Sequence, residues 1–170
     1  MPKEEFTDAI AMLKADHRDV EQLFAKFESA SGDGKKQQIA ETICTELKIH
    51  TSIEEEIFYP AFRGKIEDVD LDEAYVEHDA AKVMINEIMS GGPDEEFYDA
   101  KVKVLQEQIE HHVKEEEMRE EGMFAQCRQS DVDLVALRDE MLPRKQELME
   151  QAETSGLPPA QPSVVNPQAA

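Results

Sequence analysis

Apolar residues recur every three or four positions through most of the chain, the spacing that places them on one face of an α-helix. The pattern predicts four helices over residues 7–30, 35–62, 71–89 and 94–124. A fifth helix is predicted to run to about residue 153 after a capping signal at residues 130–133. Pro60 predicts a kink or an early stop in the second helix, and Pro143 an interruption or bend in the fifth.

These elements predict an all-α fold. Short loops between the first four helices favour an up-down-up-down four-helix bundle, to which the fifth adds a C-terminal helix. We expect residues 1–153 to form this single domain. Residues 154–170 are rich in Pro, Ala and Gln, a composition that predicts a disordered tail.

The charge of the chain narrows the classes of partner. The sequence has 39 acidic and 18 basic side chains, which give a net charge of −21. Such a field repels phosphate backbones and anionic lipids, so neither a nucleic acid nor a membrane partner is expected. No secretory signal or membrane-length apolar run is present, which predicts a cytoplasmic protein. The oligomeric state, monomer or dimer, stays open.

The two cysteines, Cys44 and Cys127, form neither a CxxC pair nor a disulfide framework. Their number and spacing agree with a reducing compartment. We interpret both as small buried or partly buried apolar residues.

Histidines supply the candidate chemistry. One histidine on an apolar face is usually a hydrogen-bonded core residue. Four of the five histidines here fall on the core-facing stripes of four different helices, and this excess needs a physical reason. They are His17, His50, His78 and His112.

Two of these stripes also carry a carboxylate one turn after the histidine, Glu54 after His50 and Glu116 after His112. Each Glu alone could simply bond its histidine or lie at the solvated edge, because both belong to acidic runs. With four convergent imidazoles we prefer a metal site, since a buried carboxylate is costly unless it is paired or bound to a metal. Four imidazoles and two carboxylates can hold two cations about a carboxylate bridge with open positions. Such mixed ligation suits iron best, with zinc or manganese as substitutes.

The order of these motifs resembles the hemerythrin or HHE cation-binding family over about residues 6–149. The motifs are Asp16-His17, His50-x-x-x-Glu54-Glu55 followed by Ile57-Phe58-Tyr59-Pro60, Glu77-His78, and His112-x-x-x-Glu116-Glu117. The resemblance implies a four-helix bundle with a non-haem di-iron centre that binds oxygen, peroxide or nitric oxide. In that reading Glu54 and Glu116 bridge the two irons, and the four histidines are terminal ligands.

The sequence departs from the oxygen-carrying members of the family at two points. Those members have a histidine one turn before the third-helix ligand, where this chain has Ala74, so reversible oxygen transport is in doubt. Tyr75 and Glu77 are candidate replacements, or ordinary rim residues. The carriers also space their last histidine and carboxylate by five, which His111 and Glu116 would match. The stripe favours His112 instead and leaves His111 to support the ligands or to lie at the surface.

We therefore hypothesise a cytoplasmic di-iron protein that binds or reacts with oxygen, peroxide or nitric oxide. Whether there is catalytic turnover, such as peroxide or nitric oxide reduction, is open. An alternative is an iron-dependent sensor or iron-buffering module in which metal binding orders the bundle. A third interpretation is a metal-free acidic helical protein.

Overall fold

The computed structural model describes residues 6–166, and this part of the chain is helical without strands. The all-α prediction is therefore confirmed. The elements are α1 (Ala9–Ser29), α2 (Asp33–Ile53), a π-helical turn (Glu54–Phe58), α3 (Tyr59–Phe62), α4 (Asp68–Ser90), α5 (Tyr98–Glu117), α6 (Met123–Gln129) and α7 (Leu134–Thr154).

Helices α1, α2, α4 and α5 form an up-down-up-down bundle whose core has two apolar layers. The first layer is built from the start of α1, the end of α2 and the start of α4, with residues of α6 and α7. The second takes the end of α1, the start of α2, the end of α4 and most of α5. Helices α1, α2 and α4 therefore cross between the layers in alternating directions, whereas the buried apolar residues of α5 all belong to the second layer. Along α1, α2 and α4 the core histidine lies between residues of the two layers, and on α5 His112 lies between Ile109 and Val113 of the second layer.

The second predicted helix continues through Pro60, with a local change of winding before it. Pro60 has no N–H to donate to the carbonyl four residues earlier, and its ring would clash there in a regular α-helix. The structure widens the helix into the π turn, in which the Tyr59 N–H donates to the Glu54 carbonyl. Single π turns often accompany functional sites.

The fourth predicted helix is shorter than the sequence indicates, because α5 ends at Glu117 and α6 begins at Met123. Glu120 adopts a positive φ of 64° in the intervening turn. A Cβ atom on Gly122 would lie 2.3 Å from the Met118 carbonyl oxygen, so this turn requires glycine. The turn lets α6 place Phe124 and Cys127 in the core.

The additional C-terminal helix is present as α7. Asp133 caps it by accepting hydrogen bonds from two backbone N–H groups, as the sequence predicts. Pro143 lies inside the helix, which runs uninterrupted to Thr154. At the other end of the chain, Asp8 caps α1, because its carboxylate accepts a hydrogen bond from the Ala11 N–H.

The tail prediction needs a correction. Residues 160–165 lie against α4 because the Asp79 carboxylate accepts hydrogen bonds from the N–H groups of Ser163, Val164 and Val165 at 2.7–2.8 Å. Asn86 exchanges two further bonds with Ala160. A polar, proline-rich composition did not reveal these partners. Residues 167–170 of the predicted tail, like residues 1–5, lie outside the described residues.

None of the helices in the described range has the length and apolar character needed to cross a membrane.

We expect Gly122→Ala to destabilise the protein by about 1–3 kcal/mol, the usual cost of forcing an atom into a packed site. The added methyl group must displace backbone atoms of Met118. Gly34→Ala is the matched control, since its added Cβ meets nothing within 4 Å. Urea unfolding of both variants measures the effect. Equal unfolding midpoints would contradict the packing argument.

Candidate metal centre

The four core histidines meet in a single layer across the bundle. All are buried, with exposed fractions of 2–6%. The rings pair as His17 with His50 and as His78 with His112, with centroids 4.9 Å and 4.7 Å apart. The structure thus brings together the imidazoles that the sequence placed on four separate stripes.

Nitrogen and carboxylate oxygen atoms converge there in two donor sets. His17, His50 and Glu54 form the three-donor set, and Glu54, His78, His112 and Glu116 form the four-donor set. Within each set the donor atoms lie within 4.8 Å of one another. Glu54 belongs to both sets and occupies the position of a bridge. Glu116 belongs to the four-donor set, and its role as a second bridging carboxylate stays a prediction.

The close contacts within these sets suit a bound cation. Glu54 Oε1 contacts His50 Nε2, and Glu54 Oε2 lies 3.1 Å from His78 Nε2. His78 Nε2 and His112 Nε2 are 3.1 Å apart, and Glu116 Oε1 contacts His112 Nε2. Among the described residues, His17 Nε2 and Glu116 Oε2 are buried without any hydrogen-bond partner. Buried polar atoms are rarely left unpaired, so these donors fit a metal.

A closed ring of hydrogen bonds orients the four histidines, each Nδ1 facing a carboxylate on a neighbouring helix. Asp16 on α1 faces His50 at 2.9 Å. The other three pairs, in order around the bundle, are Glu55 with His78 at 3.2 Å, Glu77 with His112 at 2.9 Å, and Glu117 with His17 at 2.7 Å. We call Asp16, Glu55, Glu77 and Glu117 the outer carboxylates.

The outer carboxylates fix which nitrogen can bind a metal. Burial is the largest single influence and raises the pKa of these carboxyls, but the hydrogen bonds and charges of the histidines and of other neighbouring polar groups together outweigh it and hold each pKa below its ordinary value. An ionised carboxylate only accepts hydrogen bonds, so each Nδ1 carries the shared hydrogen. Every Nε2 is then turned toward the centre. This carboxylate–histidine arrangement is typical of metal sites and raises the basicity of the ligand.

Three of the outer carboxylates are themselves paired with a cation. Asp16 contacts Lys145 of α7 at 2.5 Å, Glu55 lies 2.9 Å from Lys82, and Glu117 contacts Arg18. The tail supplies a further contact to Glu55, because the Ser163 hydroxyl donates a hydrogen bond to this carboxylate. The fourth outer carboxylate, Glu77, instead lies 3.3 Å from His111.

Tyr59 is a site residue that the sequence reasoning missed. Its hydroxyl donates to Glu54 and lies 3.2 Å and 3.3 Å from the Nε2 atoms of His78 and His112. Burial and the nearby Glu116 and Glu54 carboxylates raise the pKa of Tyr59 well above its ordinary value. Five residues of regular α-helix turn through about 500°, which would put Tyr59 about 140° from Glu54. The wider π turn brings Tyr59 back to the side of the helix that carries Glu54. In the sequence, Pro60 was the one indication that the helix departs from regular winding here.

The alternative candidates lie outside both donor sets. The Tyr75 hydroxyl donates to the backbone carbonyl of Glu55 at 3.4 Å. Glu77 is an outer carboxylate, as described above. The His111 side chain is 62% exposed, whereas His112 is buried. Ala74, at the position of the extra histidine of oxygen carriers, lines a cleft beside the four-donor set.

Positive charge is favoured on two of the buried histidines when no metal is present. Burial alone would lower the pKa of His50, but Glu54 and Asp16 outweigh it and raise that pKa to about 10. Burial opposes charge on His112 as well, and Glu116, Glu54 and Glu77 raise its pKa well above the ordinary value. A metal ion at these nitrogens must therefore displace protons.

Three cavities define the surroundings of the centre. A space of about 20 Å³ lies between the four histidines and has apolar side chains in its wall. A cleft of about 190 Å³ reaches His112 and Glu116 from the side of α4 and α5. A third cavity, about 580 Å³ between α1, α2 and α7, is lined by none of the four histidines. We therefore place the chemistry at the histidine layer and not in this cavity.

Comparison with known proteins agrees with this geometry. A crystal structure of a hemerythrin HHE cation-binding domain-containing protein, an Rv2633c homologue from Mycobacterium kansasii, superposes with a TM-score of 0.72. It is 20% identical, and the match covers 89% of this chain and 95% of that one, which establishes a shared fold. A protein named DNA nickase from Nostoc sp. (strain PCC 7120) is 27% identical over 106 residues. Those residues are 62% of this chain but only 30% of that relative.

The sequence profile of the hemerythrin HHE cation-binding domain matches residues 8–124. This range holds all four core histidines, the donor-set residues Glu54 and Glu116, and all four outer carboxylates. It covers more than half of the chain. The chain therefore belongs to the hemerythrin HHE cation-binding domain family.

Proposed function

We propose that the protein is a non-haem di-iron protein that binds or reacts with oxygen, peroxide or nitric oxide. The observation that carries the proposal is the pair of donor sets sharing Glu54. Two bound iron ions would supply Fe(II)/Fe(III) redox chemistry and coordination positions for a small ligand. Zinc or manganese could occupy the same donors, because imidazole and carboxylate ligands suit all three metals.

The unequal donor sets give the two metals different roles. His17, His50 and Glu54 leave more coordination positions open on their side than His78, His112, Glu54 and Glu116 leave on theirs. The Tyr59 hydroxyl adds a further oxygen beside the four-donor set. We infer that an external ligand binds on the three-donor side.

The space between the histidines limits the size of that ligand. Its volume of about 20 Å³ accommodates roughly one water-sized molecule. Its wall includes Val20, Leu47, Ile109 and Val113. Their apolar side chains offer no hydrogen bonds, which favours a small neutral ligand over an anionic metabolite. A diatomic gas or peroxide meets both conditions.

Iron binding without turnover is the alternative. An iron-buffering or iron-sensing module would need metal binding to order the bundle. The core layers on both sides of the histidines argue for a bundle that is already packed without metal. Limited proteolysis of metal-free and metal-loaded protein distinguishes the two, because equal resistance removes the ordering mechanism.

We do not extend the name of the Nostoc relative to this chain. The chain corresponds to less than a third of that protein, so the named activity can belong to its other parts. The net charge of −21 also opposes binding to a polyanion.

Anaerobically purified protein should contain about two irons per chain. Exposure to air should then develop the visible absorption of ferric iron, and mixing with peroxide in a stopped-flow instrument should change that spectrum. Metal analysis and absorption spectroscopy make the test. Iron near zero after reconstitution would overturn the di-iron proposal, whereas full iron content with no response to peroxide or nitric oxide would favour buffering.

Glu117→Gln should weaken metal binding in the three-donor set by about 10–100-fold, the usual effect of losing the carboxylate behind a histidine ligand. Among the four core histidines Glu117 bonds only His17, so one of the two metals should bind weakly while the other stays tightly bound. Titration with Zn²⁺, which has no redox chemistry, measures both affinities. Glu110→Gln is the control, because Glu110 lies on the same helix with Gln106 as its hydrogen-bond partner.

Metal affinity should rise with pH between about 6 and 8. His50, with its pKa raised to about 10, must lose a proton to bind, and each proton released changes the affinity by about tenfold per pH unit. The stability that protonated His50 gives the metal-free protein is complete below pH about 6.5 and is lost as pH rises towards 10. The Tm difference between loaded and metal-free protein should therefore widen with pH. A constant difference across this range would contradict the expected proton release.

A further inference from the structure

The cleft beside the four-donor set is strongly acidic. Six carboxylate side chains line it, namely Asp70, Glu73, Glu77, Glu115, Glu116 and Glu121. Among the described residues no Lys or Arg side chain lines this cleft. Its volume of about 190 Å³ holds hydrated cations but is small for an organic metabolite.

The outer end of the cleft carries a second group of possible metal ligands, which we call the rim cluster. It consists of Glu73, Glu77, His111 and Glu115, whose donor atoms lie within 4.8 Å of one another. His111 Nε2 is 3.1 Å from Glu115 Oε1 and 3.3 Å from Glu77 Oε2. Three carboxylates and an imidazole are a donor set for a divalent first-row metal ion.

A buried carboxylate lies at the inner end of the cleft, and one of its oxygen atoms has no hydrogen-bond partner among the described residues. Glu116 is only 1% exposed, and its Oε2 atom has no hydrogen-bond partner among the described residues. Its other oxygen, Oε1, contacts His112 of the four-donor set. An unpaired carboxylate oxygen at this depth is costly without a cation.

The rim cluster includes the one outer carboxylate, Glu77, that differs from the other three in its ion-pair partners. Lys145, Lys82 and Arg18 each neutralise one outer carboxylate. Within residues 6–166 Glu77 pairs with no Lys or Arg side chain, and its partners are His111 and His112. A cation in the rim cluster would take the place that a lysine or arginine takes at the other three positions.

We propose that the rim cluster is a metal-loading site, which binds a divalent cation at the surface and delivers it through the cleft to the centre. The proposal rests on the proposed metal centre. Glu77 joins the two ends, because its Oε2 atom faces the rim cluster while its Oε1 atom lies 2.9 Å from His112 Nδ1. Glu116 Oε2 is the first buried donor on the way in. The exposed rim binds weakly and exchanges fast, and the enclosed donors bind tightly.

The test compares the rate of metal uptake with its final extent. Co²⁺ acquires visible absorption in imidazole and carboxylate sites, so stopped-flow mixing with metal-free protein follows loading of the centre. The double variant Glu73→Gln with Glu115→Gln removes two rim carboxylates and leaves Glu77 and both donor sets intact. Glu140→Gln with Glu150→Gln removes the same charge from exposed positions on α7, which contributes no residue to the cleft.

We expect the rim variant to load at least about tenfold more slowly, within the range that electrostatic focusing produces. Its final Co²⁺ content should equal that of the wild type, and the control variant should load at the wild-type rate. Equal rates in the rim and control variants would overturn the loading site. A wild-type chain that never reaches two cobalt ions would contradict the proposed metal centre instead.

A manganese titration tests the rim cluster without relying on the centre. Wild-type protein incubated with excess Zn²⁺ and then desalted should bind one further Mn²⁺ weakly, counted by the loss of the free-ion electron paramagnetic resonance signal. The rim variant should lose this ion and the control variant should keep it. Absence of the additional ion from the wild type, or its retention by the rim variant, would overturn the proposal.

Discussion

The hydrogen bond from each histidine Nδ1 to a carboxylate of the neighbouring helix is the constraint on which the rest of the structure depends. Four such bonds close a circle through α1, α2, α4 and α5. Sliding one helix by a turn would break the two bonds in which it takes part. The ring therefore fixes the relative heights of the helices, while the apolar layers on either side supply most of the burial energy. It also fixes the direction of every Nε2 atom, so the same bonds that align the bundle prepare the centre.

Such a polar layer destabilises a bundle unless its charges are compensated, since buried carboxylates lose their hydration. Here the compensation extends outward in steps. Glu54 and Glu116 contact histidines, the histidines contact the outer carboxylates, and three of those contact a lysine or an arginine. The parts outside the four-helix bundle contribute to the last step, because Lys145 lies on α7 and Ser163 of the tail bonds to Glu55. Helix α7 and the tail therefore stabilise the charges around the centre in addition to covering apolar surface.

The sequence was sufficient for the helices and the histidine layer because both follow the 3.6-residue period. It was not sufficient for features that depart from that period. Tyr59 comes beside Glu54 only through the π turn, and α5 stops at a turn that requires Gly122. The partners of the ring were also hidden. Neighbours in sequence such as Asp16 and His17 point about 100° apart on a helix, so each outer carboxylate reaches the next helix and not its own histidine. The contacts of the tail depend on the three-dimensional position of Asp79 and leave no periodic signal.

The two proposals assign different spaces to the two species that the centre must admit. Six carboxylates in the cleft attract a cation electrostatically, whereas they do not attract a neutral gas or peroxide. The space between the histidines has apolar side chains in its wall, where an uncoordinated cation would lose its hydration without replacement. In the proposed arrangement the cleft meets the four-donor set, while the positions left open for an external ligand are on the three-donor side. The proposed loading route thus leads to the side better supplied with ligands, and filling that side would leave the less complete one free for chemistry.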